Sequence, residues 1–317
     1  MGTFRAGTAA PPAPPRRAPV LVVSSNKGGV GKTTIVVNLA IYTRALLEDL
    51  PVLVVGLDDQ ETLDRMFSLE LHKVGERNLK HGWAQRSLEG VIQLGEYGVH
   101  FVPSPPDVSL LKGRAENPLT LRRILERTAW RGIIVIDTKA DLEALTLNAF
   151  HAADRIMVPV ADWGSLEEAE KTFRILERST LGVHRARVVF TLVDRRARAA
   201  GGSILFHALL DEVRRRGWTY YKTYLSRSPR VEALNSGTST PLSILHHARG
   251  TAVHAQMREL TQEVLQDLRL ACFSEAADAP VEEPSILWGK RRLAAATPRR
   301  PTAKSGIADF LGALRRP

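Results

Sequence analysis

Short apolar runs alternate with segments of helical spacing along most of this chain of 317 residues. Six apolar runs predict strands: residues 20–23, 52–55, 99–102, 133–136, 156–160 and 188–193. Between them, apolar positions recur at helical spacing in residues 35–48, 118–128, 165–178, 203–216 and 252–270. Buried strands that alternate with helices are typical of a parallel sheet covered on both faces. The pattern therefore predicts a single doubly wound α/β domain, with a mostly parallel sheet, over residues 20–272.

Both ends of the chain depart from this pattern. Residues 1–19 are rich in proline and alanine and lack the apolar core of a signal peptide, so we expect a disordered arm. Residues 273–317 are predicted to form a basic flexible tail. Within it, residues 305–316 place apolar side chains at helical spacing, as in a short amphipathic segment that docks, binds a partner or lies on a membrane. The small apolar area of this segment makes the membrane the less favoured of these options.

Positive charge is concentrated in the two ends of the chain. The net charge is +10, of which residues 1–19 contribute +3 and residues 285–317 contribute +7, so the body sums to about zero. Basic arms commonly bind nucleic acid through phosphate neutralisation, although a solvated tail that only aids solubility is the alternative. Clustered arginines in the body could add to such a surface, or could simply complement helix dipoles. The DNA-contact candidates are Arg195, Arg196, Arg198, Arg214, Arg215, Arg216, Lys290, Arg291 and Arg292.

Cysteine and histidine usage argues against a structural metal or a disulfide. Cys272 is the only cysteine, so no intramolecular disulfide can form, which fits a reducing cytoplasm. The pair His246-His247 lacks further ligands at metal spacing, so a surface pair is the better interpretation. No apolar run reaches the roughly 20 residues of a membrane-spanning helix. The sequence therefore predicts a cytoplasmic protein.

One octapeptide carries most of the chemistry: Lys27-Gly28-Gly29-Val30-Gly31-Lys32-Thr33-Thr34. It follows the first predicted strand and precedes the first predicted helix, which is the context of a P-loop. In such a loop, glycines turn backbone N–H groups onto phosphate oxygens, and the helix N-terminus adds its positive dipole end. Lys32 can reach the β- and γ-phosphates, and the Thr33 hydroxyl can ligate Mg²⁺. We therefore predict that all eight residues bind a nucleoside triphosphate.

The loop differs from an ordinary P-loop at its entry. Asn26 stands where the first glycine of that motif would be, and Lys27 follows it. This form resembles the deviant Walker A motif of the ParA/MinD family of ATPases. The resemblance implies a P-loop ATPase fold, ATP with Mg²⁺ as cofactors, and an ATP-dependent sandwich homodimer. It also implies that Lys27 reaches across the dimer interface to the nucleotide of the partner subunit.

Two later strand ends extend the resemblance to the family's metal and water ligands. The stretch around Asp58 resembles the first switch, in which this aspartate orients the attacking water and contacts Mg²⁺ through water. Gly56 replaces the first aspartate of that switch, and Asp59 replaces its proline. Asp137 ends the run Ile133-Ile134-Val135-Ile136 and resembles the Walker B aspartate, which holds a water of Mg²⁺. Catalytic roles are therefore implied for Lys27, Lys32 and Asp58.

The resemblance continues through the second half of the chain. Lys139-Ala140 replaces two prolines of the second switch, which brings partner-stimulated hydrolysis into question. Residues 153–160 resemble the next strand, and residues 191–198 resemble a strand end with an arginine-bearing loop. The segment Leu225-Ser226-Arg227 resembles the loop that contacts the nucleotide base, which implies that Arg227 binds nucleotide.

Taken together, the resemblance implies a slow ParA-like ATPase that binds DNA without sequence preference and drives DNA segregation or cargo positioning. A ParB-like or other cargo-bound protein would stimulate hydrolysis, and the protein would be associated with the nucleoid. Two alternatives stay open. One is a MinD-like ATPase that cycles on a membrane through the terminal segment. The other is a nucleotide-gated scaffold with little hydrolysis, suggested by Gly56 and Lys139-Ala140.

Overall fold

The computed structural model describes residues 17–58, 62–68, 77–105, 107–199, 202–236 and 243–270. A sheet of seven strands crosses this part of the chain in the order β3-β4-β2-β5-β1-β6-β7. All neighbouring strands are parallel except β3 and β4 at one edge. The strands are β1 Val20–Val23, β2 Val52–Leu57, β3 Gln93–Leu94, β4 His100–Val102, β5 Ile133–Thr138, β6 Arg155–Val160 and β7 Ala186–Phe190.

Helices cover both faces of this sheet. They are α1 Lys32–Leu46, α2 Thr62–Phe67, α3 Leu79–Gln85, α4 Thr120–Arg127, α5 Ala144–Ala152, α6 Trp163–Arg178, α7 Leu205–Arg215, α8 Pro229–Ser236, α9 Ile244–His247 and α10 Ala252–Asp267. The buried side chains form two apolar cores, one beneath α3 to α7 and the other beneath α1, α2, α9 and α10. Alternate residues of β1 point into opposite cores: Val20 and Val22 into the first, Leu21 and Val23 into the second. The predicted doubly wound α/β fold is confirmed.

The central strands are apolar because both of their faces are covered. All residues of β1, β2 and β5 are buried. Their carboxyl ends lie side by side, with Val23 opposite Asp137 and Gly56 also opposite Asp137 in the strand register. Ligands of open α/β sheets bind at this edge, outside the carboxyl ends of the strands. The fold therefore brings the P-loop, Asp58 and Asp137 to one place.

The folded body begins earlier than the sequence predicts. Arg17 donates a hydrogen bond to the Asp154 carboxylate at 2.6 Å, and Ala18 is buried. The predicted disordered arm of residues 1–19 is therefore too long, since its last three residues pack on the body. The rest of that arm lies outside the described residues. So do Asp59, Cys272, Lys290, Arg291, Arg292 and the amphipathic segment at 305–316.

One strand is shifted from its predicted position. The sequence predicts a strand at 188–193, whereas β7 spans Ala186–Phe190. Thr191 follows β7: its backbone N–H donates to the carbonyl of Val160 in β6 at 2.9 Å, and its hydroxyl donates to the carbonyl of Val30 in the P-loop at 3.0 Å. Leu192 then takes a left-handed backbone with φ of 52°. The turn at Leu192 therefore ends the strand before the apolar stretch does.

No helix in the described ranges is both long enough and apolar enough to cross a membrane.

Candidate active site

The P-loop connects β1 to α1 through two left-handed glycines. Gly29 and Gly31 have φ of 76° and 86°, a backbone region in which an L side chain is strained. Gly31 is the N-cap of α1, so the first N–H groups of the helix face the loop. A Cβ placed on Gly28, Gly29 or Gly31 would meet no atom within 4 Å, so an anion can approach the backbone here closely. This local geometry suits phosphate binding.

Lys32 begins α1 and lies under the loop. Its ammonium Nζ donates to the carbonyl of Lys27 at 3.3 Å, and only 8% of the residue is exposed. Burial lowers the pKa of Lys32, while Asp137, Asp58 and Asp141 act in the opposite direction. The side chain is therefore a partly desolvated cation held against the inner side of the loop, where phosphate oxygens would be its natural counter-charge.

Thr33 and Asp137, for which the sequence predicts contacts to Mg²⁺, lie together at one end of the site, which we call the predicted metal end. The Thr33 hydroxyl donates to Asp137 Oδ2 at 2.7 Å. Asp137 Oδ1 is buried and has no hydrogen-bond partner within the described ranges. Burial raises the pKa of Asp137 to about 7, against the opposing effects of the Thr33 hydrogen bond and the Lys32 charge. A hydroxyl beside a buried carboxylate with an unsatisfied oxygen fits Mg²⁺, which prefers oxygen ligands.

The described residues contain no group of three or more His, Cys, Asp or Glu side chains that could hold a metal ion. A cation at Thr33 and Asp137 would therefore share its coordination with phosphate and water, which is common for Mg²⁺ in nucleotide sites.

Asp58 lies beside this metal end, at the exit of β2. A small cavity is lined by Asp58, Thr33 and Asp137, together with residues of β2, α2 and the segment after β4. The structure thus brings together Lys32, Thr33, Asp58 and Asp137, which the sequence placed in one site.

Gly56 is a glycine for a steric reason. A Cβ at this position would lie 2.8 Å from Leu63 Cδ1 and 3.0 Å from Ser104 Oγ. The side chain of Leu63, from α2, fills the space that an aspartate at position 56 would need. Within the described residues, Asp58 is therefore the carboxylate of the first switch, and it lies next to an apolar wall.

Lys27 points away from the other lysine of the loop. Its ammonium donates to both carboxylate oxygens of Asp162, each at 2.8 Å. Asp162 is the N-cap of α6 and also accepts from the backbone N–H of Ser165. Burial acts to raise the pKa of Asp162, but the Lys27 ammonium and the Ser165 hydrogen bonds outweigh it, so the pKa is lowered. Lys32 and Lys27 therefore occupy separate places, one inside the loop and one at its outer flank.

The structure adds residues to the site that sequence reasoning missed. Asp162 is the first of these residues. A second contact to α6 comes from Asn26, whose side chain donates to Glu168. Asp141, in the second switch, accepts from the Thr146 hydroxyl at 3.0 Å and from the N–H of Glu143 at 3.2 Å. A signal for Asp162 existed, because an aspartate directly after an apolar strand and three residues before a serine is typical of a helix N-cap.

Arg227 lines a cavity that Asp162 also lines and that no P-loop residue lines. Its backbone N–H donates to Val193, and its guanidinium donates to Glu232 at 2.9 Å. Both Arg227 and Asp162 line a cavity of about 320 Å³ between the ends of β6 and β7 and helix α7. The structure thus connects the predicted base-contacting arginine to the P-loop through Asp162, the partner of Lys27.

The two arginine clusters of the body differ in how far they are neutralised. Each arginine of the cluster at the end of α7 is paired with a carboxylate: Arg214 with Asp211, Arg215 with Glu212, and Arg216 with Glu212 and Glu170. The loop cluster is more exposed: Arg196 lies 3.5 Å from Asp194, Arg198 donates to a carbonyl, and Arg195 has no ion pair within the described ranges. The loop cluster therefore has more positive charge available to a ligand.

We predict that Asp162→Asn strengthens the ATP-dependent dimerisation that the resemblance implies. Asparagine keeps the N-cap of α6 but removes the charge that holds Lys27. Half-exposed ion pairs contribute about 0.5 kcal/mol each, so releasing one in each of two subunits should strengthen dimerisation about fivefold. Sedimentation with ATP measures this, and Glu167→Gln, the same charge change on an exposed residue of α6, serves as the control. Equal dimerisation of the parent and Asp162→Asn would show that the ion pair does not restrain Lys27.

A glycine loop at a helix N-terminus, a buried lysine and a hydrogen-bonded Thr–Asp pair at the carboxyl edge of a parallel sheet define a P-loop nucleoside triphosphatase. A protein family described as an AAA domain matches residues 18–172. The chain is 30% identical over 248 residues to the chromosome-partitioning ATPase Soj of Thermus thermophilus. The aligned region covers 77% of this chain and 94% of that protein. The chain belongs to the ParA/Soj family of partition ATPases.

Solved structures share the fold. A plasmid partition protein from Borrelia burgdorferi bound to AMPPNP matches with a TM-score of 0.59 at 16% identity, covering 80% of this chain and all of that one. Cobyrinic acid a,c-diamide synthase from Mycobacterium smegmatis, with bound ATP analog and magnesium, also has a TM-score of 0.59, at 18% identity and 80% and 96% coverage. Since the same fold serves different chemistry, the fold alone does not assign function.

Proposed function

We propose that this protein is an ATP hydrolase that dimerises face to face when it binds ATP and Mg²⁺. The observation that carries the proposal is the separation of the two loop lysines. Lys32 is buried under its own loop, whereas Lys27 is held at the outer flank by Asp162. From that flank, Lys27 would serve a nucleotide other than the one bound by its own subunit, and its separation from Lys32 supports this role.

The residues of one subunit would divide the work of phosphoryl transfer to water. Backbone N–H groups from Gly28 to Thr34 hold the phosphates, and Lys32 balances the charge on the β- and γ-oxygens. Thr33 and Asp137 would hold Mg²⁺, which supplies charge stabilisation between the phosphates. Asp58 would orient the attacking water and would help, through water, to hold Mg²⁺. Such chemistry depends on positioning and charge more than on covalent steps.

Lys27 would complete the site of the partner subunit. It must leave Asp162 to do so, and the ion pair is half-exposed, so breaking it costs little. The added cation would reach the γ-phosphate when two nucleotide faces meet. Hydrolysis would then depend on dimerisation, which supports a slow, switch-like ATPase.

The nucleotide base would occupy the flank near Arg227. This arginine lines the same cavity as Asp162 and follows the end of β7. Its partner Glu232 fixes the guanidinium in place, so a ring or ribose hydroxyl could contact either group. Arg227 is proposed here as a nucleotide contact.

The cellular role that we propose is DNA segregation or cargo positioning in the cytoplasm, on the nucleoid. Support comes from the relatives, whose names describe chromosome or plasmid partition. DNA would be bound without sequence preference by arginines such as Arg195, Arg196 and Arg198. Lys290, Arg291 and Arg292, which lie outside the described residues, would add contacts from the tail. A ParB-like or other cargo-bound protein would stimulate hydrolysis.

We predict opposite behaviour for two alanine variants of the site. Lys27→Ala should bind ATP as a monomer but lose ATP-dependent dimerisation and hydrolysis, because Lys32 serves the subunit's own phosphates. Asp58→Ala should bind ATP and accumulate as a dimer, since it lacks only the group that orients water. Sedimentation and phosphate release, each measured with ATP, separate the two outcomes. Normal dimerisation and turnover of Lys27→Ala would rule out the cross-interface role.

A nucleotide-gated scaffold with little hydrolysis is the second candidate. The observation that favours it is the apolar wall of Leu63 beside Gly56, together with Lys139-Ala140 in the second switch. Phosphate release by the full chain with duplex DNA present decides between them. A rate at the level of the Asp58→Ala variant would favour the scaffold, and a clearly higher rate would favour the ATPase.

A further inference from the structure

Ser104 places a buried hydroxyl at the carboxyl edge of the sheet, outside the set of site residues that the sequence predicts. It follows β4, and only 6% of the residue is exposed. Its hydroxyl has no hydrogen-bond partner among the described residues. Buried polar groups are usually hydrogen-bonded, so a buried hydroxyl without a protein partner points to a bound water or ligand.

The cavity beside Asp58 brings this serine to the predicted metal end. Its walls include Ser104, Asp58, Thr33 and Asp137. The volume of the cavity is about 10 Å³, which is close to the smallest space that holds one water molecule. A buried water needs two to four polar partners, and the carboxylates and hydroxyls of these four residues can provide them. The cavity therefore suits a single water between Ser104 and the predicted metal end.

Ser104 reaches this cavity across the end of β2. In the sheet, β2 lies between β4 and β5, so it separates the segment that carries Ser104 from Asp137. Gly56 is the residue of β2 that lies opposite Asp137, and a Cβ on it would be 3.0 Å from Ser104 Oγ. A side chain at position 56 would therefore occupy the space beside this hydroxyl. The glycine leaves a path open from Ser104 to the predicted metal end.

Asp64 fixes the backbone position of Ser104. Both carboxylate oxygens of Asp64 accept from the backbone N–H of Ser104, at 2.9 and 3.2 Å. Asp64 is itself buried and belongs to α2, which follows the first switch. Hydrogen bonds to an ionised carboxylate are stronger than those between neutral groups. The hydroxyl of Ser104 therefore projects from a backbone position that is anchored to α2.

Packing alone does not account for a serine at this position. An alanine would fill the space beside Gly56 nearly as well and would leave no buried hydroxyl without a partner. A buried hydroxyl that makes no hydrogen bond is unfavourable in the folded protein. The serine is therefore better explained by a partner that is present when nucleotide is bound.

We propose that Ser104 binds Mg²⁺ through water, with its hydroxyl holding a water ligand of the metal across Gly56. Mg²⁺ in nucleotide sites keeps several waters, and protein groups that hydrogen-bond to the ligands of a metal tune its affinity. In this chain, the hydroxyl supplies a contact on the side where position 56 carries no carboxylate. The proposal rests on the Mg²⁺ site proposed above, but it does not require hydrolysis.

The test compares the full chain with Ser104→Ala, which removes the hydroxyl and little else. Thr172→Val is the matched control, because it removes another buried hydroxyl that has no partner among the described residues, on α6 and outside this cavity. Calorimetry measures the affinity for a nonhydrolysable ATP analogue with saturating Mg²⁺ and again with EDTA. The ratio of these two affinities is the gain from Mg²⁺.

We expect Ser104→Ala to lower the gain from Mg²⁺ about tenfold, which is the smaller of the effects usually found when a group beside a metal ligand is removed. Its affinity in EDTA should match that of the parent, because Lys32 and the backbone of the loop are unchanged. Thr172→Val should show the same gain from Mg²⁺ as the parent. A purely structural role of Ser104 would not separate the two conditions in this way.

Gly56→Ala tests the path across β2. Its Cβ would be 3.0 Å from Ser104 Oγ, so the hydroxyl has to move away from the cavity. The gain from Mg²⁺ should then fall to the level of Ser104→Ala. The double variant Gly56→Ala/Ser104→Ala should lose no more than either single variant, because both changes remove the same contact. Additive losses would show that the two residues act separately, and would overturn the path across Gly56. Circular dichroism checks that each variant is folded.

Three further results would overturn the proposal. A Ser104→Ala variant with the parent's gain from Mg²⁺ would show that the hydroxyl does not hold a water of the metal. An equally large loss of affinity in EDTA would show that Ser104 supports the loop instead. A parent that gains nothing from Mg²⁺ would remove the metal assignment of Thr33 and Asp137, and the role of Ser104 with it. An absence of phosphate release, by contrast, would contradict the proposed ATPase alone.

Discussion

Lys32→Ala is expected to bind ATP at least about tenfold more weakly than the parent, as measured by calorimetry. Only 8% of Lys32 is exposed, and its ammonium donates to the carbonyl of Lys27 under the loop that would carry the phosphates. Charge-assisted hydrogen bonds contribute about 1.5–3 kcal/mol, and the loss should be at the upper end where water is excluded. Of the loop residues, Lys32 should therefore produce the largest loss of affinity.

The matched control for this variant is Lys80→Ala. It removes a half-exposed lysine of α3, which pairs with Asp107. It should bind ATP like the parent. The melting temperature of nucleotide-free Lys32→Ala should not fall, because burial opposes the charge of Lys32 in the folded state. Unchanged ATP affinity in Lys32→Ala would remove the P-loop assignment itself, whatever the result for Lys27.

The part of the site that could be predicted from the sequence is the part encoded locally. Strand, glycine loop and helix follow one another within fifteen residues from Val20 to Thr34, so their spacing alone specifies the geometry around Lys32 and Thr33. The position of Asp137 in the site could also be predicted, because it ends an apolar run and the carboxyl ends of parallel strands meet at one edge of the sheet. The fold class followed from the alternation of strands and helices.

What could not be predicted depends on contacts between distant residues. Asp162 is 135 residues from Lys27, and nothing in either segment indicates that they meet. The space beside Gly56 is filled by Leu63, which explains the glycine but follows only from the packing of α2 on β2. The helix at 144–152 has no clear polar face because it is largely buried, so its periodicity gave no signal.

Pairing also changes the meaning of charged residues. The triplet Arg214-Arg215-Arg216 is conspicuous in the sequence, yet its carboxylate partners neutralise it in the fold. Arg123 and Arg127 are inconspicuous, because Glu126 lies between them, but this glutamate pairs with Arg122. Sequence counts of charge therefore do not show which arginines of a helix are paired.

A second large effect is expected from Asp137→Asn, which should stabilise the protein at pH 8 when neither nucleotide nor Mg²⁺ is present. Burial raises the pKa of Asp137 to about 7, from an ordinary value of 3.8. Between these two values the folded state binds more protons than the unfolded state, so this group makes stability fall as pH rises. Above pH 7, ionisation of the buried Asp137 carboxyl lowers the free energy of unfolding by its full amount, on the order of 2–4 kcal/mol. Asparagine does not titrate and avoids that cost.

Urea unfolding at several pH values measures the difference in the free energy of unfolding between the parent and Asp137→Asn. This difference should be largest near pH 8 and shrink towards pH 4, where Asp137 is neutral in both the folded and the unfolded state. Asp49→Asn, which alters an exposed carboxylate, should show no such trend.

Addition of Mg²⁺ and ATP should make the parent more stable than Asp137→Asn, because the parent gains binding energy through Asp137 and the variant does not. If Asp137→Asn is no more stable than the parent at pH 8, the ionised Asp137 carboxylate does not destabilise the folded state. The carboxylate would then be satisfied within the protein, and the case for a metal-facing oxygen at this strand end would fail.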